Sequence, residues 1–312
     1  MELRNSKLAG FLLKLLISVG LISFFLWHID ILQIFSALRN TKVGYLLIGL
    51  ALFPLGQIIC AVKWQYLAKA LGISKDLKPM VGLYFIGMFF NLFLSTSIGG
   101  DITRGLYLNP AGKTRSSFLS VFVERATGLL SLIMLSSGVM LSSYGAPLPK
   151  LLRYGFPAAT FLALIFICIL PYVLNRTRTK MRQLVQEDLI IFWKEPRIAV
   201  TALLFSVIFH TILVAIHVCI ARSLSIRVPI PYHFVTMCLG SLAGLLPSFN
   251  GIGVRDGAYL YLLSLIGIPK AHALLFSFLW FVTMAVSSFI GCIVYIIHGL
   301  SPATAAKMAD QH

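Results

Sequence analysis

Two short stretches of the chain set acids, bases and glycines side by side: STSIGGDITRGLYL at 95–108 and PSFNGIGVRDGAYL at 247–260. At a constant offset Gly99 falls on Gly251, Gly105 on Gly257, Tyr107 on Tyr259 and Leu108 on Leu260, with Arg104 opposite Asp256. Arg104 and Arg255 offer forked donors matched to phosphate or carboxylate, while Asp101 and Asp256 can orient them or partner a cation. Gly99, Gly100, Gly251 and Gly253 permit positive φ and tight turns, so helices starting just beyond them would aim N–H groups at an anion. A third charged spot, SVFVERATGLL at 120–130, puts Glu124 and Arg125 in the first turns of an apolar run. An ionisable group inside a bilayer costs about 2.5–3.5 kcal/mol on insertion scales and normally faces a partner or a cavity. Adjacent helical residues point about 100° apart, so each needs its own partner. Arg125 with Asp101 and Glu124 with Arg255 are the expected pairings. The blander alternative is that Asp101 with Arg104, and Arg255 with Asp256, pair locally at the ends of hairpins.

Other chemistries find less support. His210 and His217 lie seven apart on one helical face without a carboxylate at matching spacing, so they read as packing or cross-helix hydrogen-bonding groups rather than metal ligands. The run GIGVRDG is not a complete dinucleotide fingerprint and no strand precedes it. There is no H-E-x-x-H, no G-x-S-x-G and no Ser/His/acid constellation. Cys60, Cys168, Cys219, Cys238 and Cys292 form no C-x-x-C pair and read as small core residues. No metal, no cofactor and no enzymatic activity are expected.

The elements that must position these residues are membrane spans. Of 312 residues 58% are hydrophobic, the mean hydropathy is +0.90, and no segment is polar enough for a soluble catalytic domain. The excess of 26 Lys+Arg over 10 Asp+Glu falls between apolar runs, as the positive-inside rule requires, and no basic patch interleaved with aromatics points to nucleic acid. About 20 apolar residues cross the hydrocarbon core as a helix. Six stretches meet that length: 10–28, 43–62, 117–142, 155–174, 198–221 and 272–297. The first, preceded by Arg4, Lys7 and Lys14, reads as an uncleaved signal anchor.

Basic loops at 63–78 and 175–197 belong on the cytoplasmic side with both termini. That parity makes 79–108 a re-entrant hairpin from the cytoplasm and 233–268 one from outside; two ordinary spans in place of each would give eight spans. The fold expected is an all-α polytopic bundle of two inverted-repeat halves, approximately 1–143 and 144–300, within a single membrane domain. Opposed broken helices near the midplane are a recurring transporter plan, with substrate bound where they face each other. DLIIFW, inside the basic loop, suggests a short interfacial helix.

At three places, in order along both halves, the chain resembles the lysylphosphatidylglycerol synthase transmembrane-region family of flippase-like membrane proteins. The matching stretches are NLFLSTSIGGDITRGLYL, ERATGLL and LPSFNGIGVRDGAYLYLLSLIGIPKAHAL. Ser95 stands where that family commonly has proline, Ile252 where it has glycine and Asp256 where it has glutamate. The resemblance implies lipid handling in the bacterial cytoplasmic membrane. In the bifunctional synthases such a region translocates an aminoacylated lipid made by a cytosolic domain; here the chain ends about fifteen residues after the last span, so lysyl transfer is not expected. Other members are associated with hopanoid transport or accompany glycosyltransferases. The expectation is a flippase-like transporter of a phospholipid, polyprenyl-linked lipid or hopanoid, its headgroup bound by Asp101, Arg104, Glu124, Arg125, Arg255 and Asp256. The alternative is a non-catalytic scaffold or accessory subunit of a glycosyltransferase or lipid-modifying enzyme.

Overall fold

The computed structural model describes residues 36–93, 99–108, 114–174, 189–246 and 251–298, and the described residues contain helices and turns only. The expected signal anchor and first span, most of the 175–197 loop and the outermost residues of both glycine stretches lie outside them. The main helices are α1 (Val43–Ala70), α2 (Leu77–Phe93), α3 (Gly99–Leu108), α4 (Thr114–Leu141), α5 (Phe156–Leu174), α6 (Ile191–Lys194), α7 (Pro196–Ser223), α8 (Ile230–Ala243), α9 (Val254–Ser264) and α10 (Lys270–His298). Val43–Ala70, Thr114–Leu141, Leu151–Tyr172, Pro196–Ser223 and Lys270–Ile297 are long and apolar enough to cross a membrane. These match five of the six expected spans. The protein is a multi-pass helical bundle. The interfacial helix expected around DLIIFW is represented by the single turn α6.

Helices α1 and α7 pack side by side in opposite directions. Gly56 lies against Phe209 and Ile212, and Gly49 against Ile216, where an added Cβ would stand 3.4 Å from the isoleucine side chain. At the end of the pair the Lys42 N–H donates to the Ser223 carbonyl at 2.8 Å. Both helices also stop the same way. Gly72 follows α1 with φ +77° and Ser225 follows α7 with φ +57°. Just beyond, the Ile73 and Ile226 N–H groups reach back to Ala68 and Ala221 at 2.9 and 3.0 Å. A left-handed residue followed by a reaching amide and a buried apolar side chain is the Schellman ending, and here it occurs twice at matching points.

Beyond each ending the chain makes a helical hairpin. In the first, the Gly100 N–H donates to Asn91 Oδ1 at 2.8 Å, Arg104 lies over Gly87, and Lys75 Nζ donates to the Leu108 carbonyl at 3.2 Å. Helix α3 therefore runs back along α2 to the end where α2 began. In the second, Gly244 faces Gly251, Gly240 faces Tyr259, and Tyr232 Oη donates to the Leu262 carbonyl at 2.8 Å. The return helices have 10 and 11 residues, about 15–17 Å at 1.5 Å per residue, roughly half of a hydrocarbon core. This geometry is re-entrant, which favours the hairpin form over eight spans. Because α1 and α7 are antiparallel and each hairpin follows its own helix, the hairpins enter from opposite ends.

Three expectations need correction. Lys63 is not in a loop: α1 runs on to Ala70, and Lys63 is buried inside it at 1% exposure. Glu124 and Arg125 lie about three turns inside α4 rather than at its start, because that helix begins at Thr114. The repeat register also changes along the return helices. Asp101 and Asp256 each stand third in their helix, and Arg104 on Gly87 corresponds to Tyr259 on Gly240. The constant offset that put Arg104 opposite Asp256 therefore does not extend into the return helices.

Candidate functional site

The first half links five charges in a chain, of which Lys63, Glu124 and Arg104 are buried, Asp101 is partly buried and Arg125 is half-exposed. Lys63 Nζ lies 3.1 Å from Glu124 Oε1 and also donates to the Glu124 carbonyl at 2.8 Å and Ser206 Oγ at 3.1 Å. Arg104 Nη2 meets the other carboxylate oxygen, Glu124 Oε2, at 3.1 Å, and its Nη1 meets Asp101 Oδ1 at 3.3 Å. Arg125 closes the chain by donating from Nε and Nη2 to Asp101 at 2.9–3.1 Å. Two aromatic faces hold the Arg104 guanidinium, with Trp64 and Tyr84 at 4.3 and 4.2 Å, and Trp64 is itself fixed by its Nε1–H donating to Ser120 Oγ at 3.0 Å. A cation held between two rings and a carboxylate gains cation–π attraction in the low dielectric of the interior.

The glycine of the return helix makes this arrangement possible. Gly100 sits so close to α2 that a Cβ there would overlap the Gly87 carbonyl. Gly100 thus serves close approach within a helix, whereas Gly251 and Gly253, at φ +79° and +86°, serve the left-handed turn. The helix starts are not open anion sites. The Gly253 N–H donates to Asp256 Oδ2 at 2.9 Å, and the Gly100 N–H is taken by Asn91. At α9 a first-turn carboxylate satisfies the donor and complements the helix dipole, whereas at α3 the acceptor is the Asn91 amide oxygen.

Of the expected pairings, Arg125 with Asp101 and Arg104 with Asp101 are present. Glu124 does not meet Arg255, because Lys63 and Arg104 occupy both its oxygens. Arg255 and Asp256 do not pair either. Asp256 turns to the Gly253 amide and the Ser277 hydroxyl. Arg255 is 7% exposed and lies 5.8 Å from the Phe281 ring, yet its Nε and Nη2 have no hydrogen-bond partner among the described residues. His210 donates from Nε2 to the Gly128 carbonyl at 2.9 Å, and His217 packs among rings, 4.5 Å from Trp280 and 5.3 Å from Phe276. Both histidines make cross-helix contacts of the kind their spacing suggested.

A cavity of about 430 Å³ opens between the two hairpins. Its polar wall carries Lys63, Glu124, Arg125 and Arg255, with Gln57 and His210; its apolar wall includes Phe53, Met88, Leu132, Phe209, Trp280 and Met284. Asn91 and Leu92 near one hairpin tip, and Gly244 and Leu245 near the other, line it too. Sequence reasoning missed Lys63 and Gln57. The available signal was helical spacing: Gly56, Cys60, Lys63 and Trp64 recur at three- and four-residue steps, which makes Lys63 part of a buried stripe.

Residues 11–291 match the model of a family described as the lysylphosphatidylglycerol synthase TM region. The chain belongs to that family. It is therefore a multi-pass membrane protein of a family related to lipid handling. A curated relative, the UPF0104 membrane protein MJ1595 of Methanocaldococcus jannaschii, is 29% identical over 122 residues, 38% of this chain and 36% of its own length. The chain thus spans about a third of the curated relative it matches. No solved structure matches.

Proposed function

We propose that the protein is a flippase-like lipid transporter and that the cavity between its inverted hairpins receives the lipid headgroup. The observation that carries this is Arg255, a guanidinium buried at 7% exposure on the cavity wall with two unpartnered nitrogens. Such a group is destabilising until an anion meets it, because desolvating an unpaired charge costs several kcal/mol. A phosphate offers the forked acceptor that a guanidinium fits. The apolar wall across from it suits the glycerol or first methylenes of an amphiphile. Two hairpins entering from opposite ends give each side of the membrane one movable arm against the shared cavity.

In this reading the other site residues have distinct tasks. Lys63, Arg104, Glu124 and Asp101 fix the first return arm against α1 and α4 and form the charged wall. Arg125, half-exposed, supplies a second cation where the cavity opens. The protein works in the cytoplasmic membrane with both termini inside, and a separate lipid-modifying enzyme or glycosyltransferase supplies or consumes its cargo; copurification from native membranes tests that partnership. Translocation of labelled phospholipids, polyprenyl phosphates and hopanoids in proteoliposomes tests the transport itself. Transport of at least one class should fall on Arg255→Gln, and wild-type rates equal to empty liposomes for every class would overturn the proposal.

A further inference from the structure

Resting on that reading of the cavity, we infer that its cargo is a lipid monophosphate whose headgroup bears no ammonium, so that aminoacylated lipids and neutral hopanoids are both poor substrates. The reasoning is an inventory of unsatisfied groups. Three cationic side chains, Lys63, Arg125 and Arg255, line the cavity against one carboxylate, Glu124. Both oxygens of Glu124 already face cations, Lys63 at 3.1 Å and Arg104 at 3.1 Å. Asp101 is held by Arg125 and Arg104, and Asp256 by the Gly253 amide and Ser277. The two remaining described acids, Asp76 and Glu195, are not on the cavity wall.

The unpaired charge of the wall is thus a donor, Arg255 Nε and Nη2, beside a single unpartnered imidazole nitrogen among the described lining residues, His210 Nδ1, which carries no negative charge to hold an ammonium. A phosphate monoanion or dianion supplies the missing acceptor. A lysyl or ethanolamine ammonium brought into the same space would meet Lys63, Arg125 and Arg255 with no open carboxylate to receive it. Like charges juxtaposed in a desolvated site are strongly unfavourable. A hopanoid without phosphate would leave Arg255 as unpaired as before.

The test uses the full chain in proteoliposomes with four fluorescent cargoes: phosphatidylglycerol, an undecaprenyl monophosphate, lysylphosphatidylglycerol and a hopanoid. At least one of the first two should be translocated about tenfold faster than either of the last two, the size one like-charge contact or one lost ion pair supports. Which of the two phosphates is favoured identifies the tail. In Ser241→Asp, which adds a carboxylate to the cavity wall, the ratio of lysylphosphatidylglycerol to phosphatidylglycerol transport should rise severalfold. Equal or faster transport of lysylphosphatidylglycerol or the hopanoid by the wild type overturns this inference while leaving the transport proposal standing. No transport of any cargo sinks both. A properly folded Ser241→Asp protein with an unchanged ratio also counts against the inference, because added acid should compensate excess cation.

Discussion

At the middle of the first half, Trp64 donates to Ser120 and lies under Arg104, which in turn meets Glu124. At the matching place in the second half, His217 packs on Phe276, Tyr259 and Trp280. The backbone frame is the same in both. Helices α1 and α7 end in the same left-handed turn, and Gly87 and Gly240 each admit a large side chain from a return helix: Arg104 in one case, Tyr259 in the other. What differs is the filling. The first half secures its hairpin with ions, the second with rings, and Arg255, a buried cation with two unpartnered nitrogens, sits on the ring-filled side. Stability and function are therefore expected to separate between the halves: charge substitutions damage folding in the first and transport in the second.

The strongest way to break that contrast is to remove Glu124. Glu124→Leu strands Lys63 and Arg104, both about 1% exposed, and breaking a buried ion cluster from one side costs about 3–5 kcal/mol. Thermal unfolding of the detergent-solubilised protein should show the loss, and adding Lys63→Met should recover part of it. Trp280→Phe, a core change in the second half, should cost less, because a smaller apolar ring leaves a partial cavity but strands no charge. Equal costs would mean that the two fillings are not distinct.

The two arginines sharpen the same point. Arg104→Gln removes a partner from Glu124 and Asp101 and should lower the melting temperature markedly, with about 1.5–3 kcal/mol lost for a hydrogen bond to a charged group. Arg255→Gln deprives no described residue of a hydrogen bond and removes an unpaired buried charge, so the unfolding midpoint should hold or rise while translocation falls. If the melting temperature drops as far for Arg255→Gln as for Arg104→Gln, Arg255 has a structural role that these contacts do not account for.

Why only part of this was legible in the sequence follows from the same residues. Five spans and both hairpins could be read because apolar runs of membrane length, and glycine-rich interruptions of them, are local signals. Arg125 with Asp101 could be read as well, since both stand in recognisable motifs. Lys63 could not, because a lysine at the end of a twenty-residue apolar window looks like a loop charge when α1 in fact continues to Ala70. Arg255 and Asp256 invite pairing as neighbours in sequence, yet adjacent helical positions diverge by about 100° and Asp256 is drawn to its own helix start. The register slip between the return helices was hidden for a similar reason. The interruption before α9 is longer than the one before α3, so an alignment without gaps fails there.

The glycines at the helix contacts predict a smaller asymmetry. Gly100→Ala drives a methyl into the Gly87 carbonyl, and because that obstacle is backbone, the hairpin must open, at a cost of about 1–3 kcal/mol. Gly240→Ala meets the Tyr259 ring at 3.0–3.3 Å, a contact a side chain relieves by a few tenths of an ångström, so less than about 1 kcal/mol should be lost. Unfolding midpoints of the two variants give the comparison directly. A larger loss for Gly240→Ala would place the tighter hairpin in the second half.

The smallest effects should differ in sign. Trp64→Phe loses the Nε1–H bond to Ser120 at 3.0 Å. Ser120 still donates to the Ser117 carbonyl at 2.7 Å, so no hydroxyl is left idle and the expected cost is about 1 kcal/mol, that of one net hydrogen bond. In the second half the matching change is the double variant His217→Phe with Tyr259→Phe. It removes both partners of a 3.4 Å contact together with the unpartnered His217 Nδ1, and fills the space with rings among rings. Replacing both members of a weak buried polar pair by apolar groups of like shape is neutral or stabilising. Differential scanning fluorimetry should therefore find the double variant at or above the wild-type midpoint and Trp64→Phe below it. Were the double variant the less stable, the histidine would be anchoring the second hairpin through its polarity, and both halves would be held by polar contacts after all.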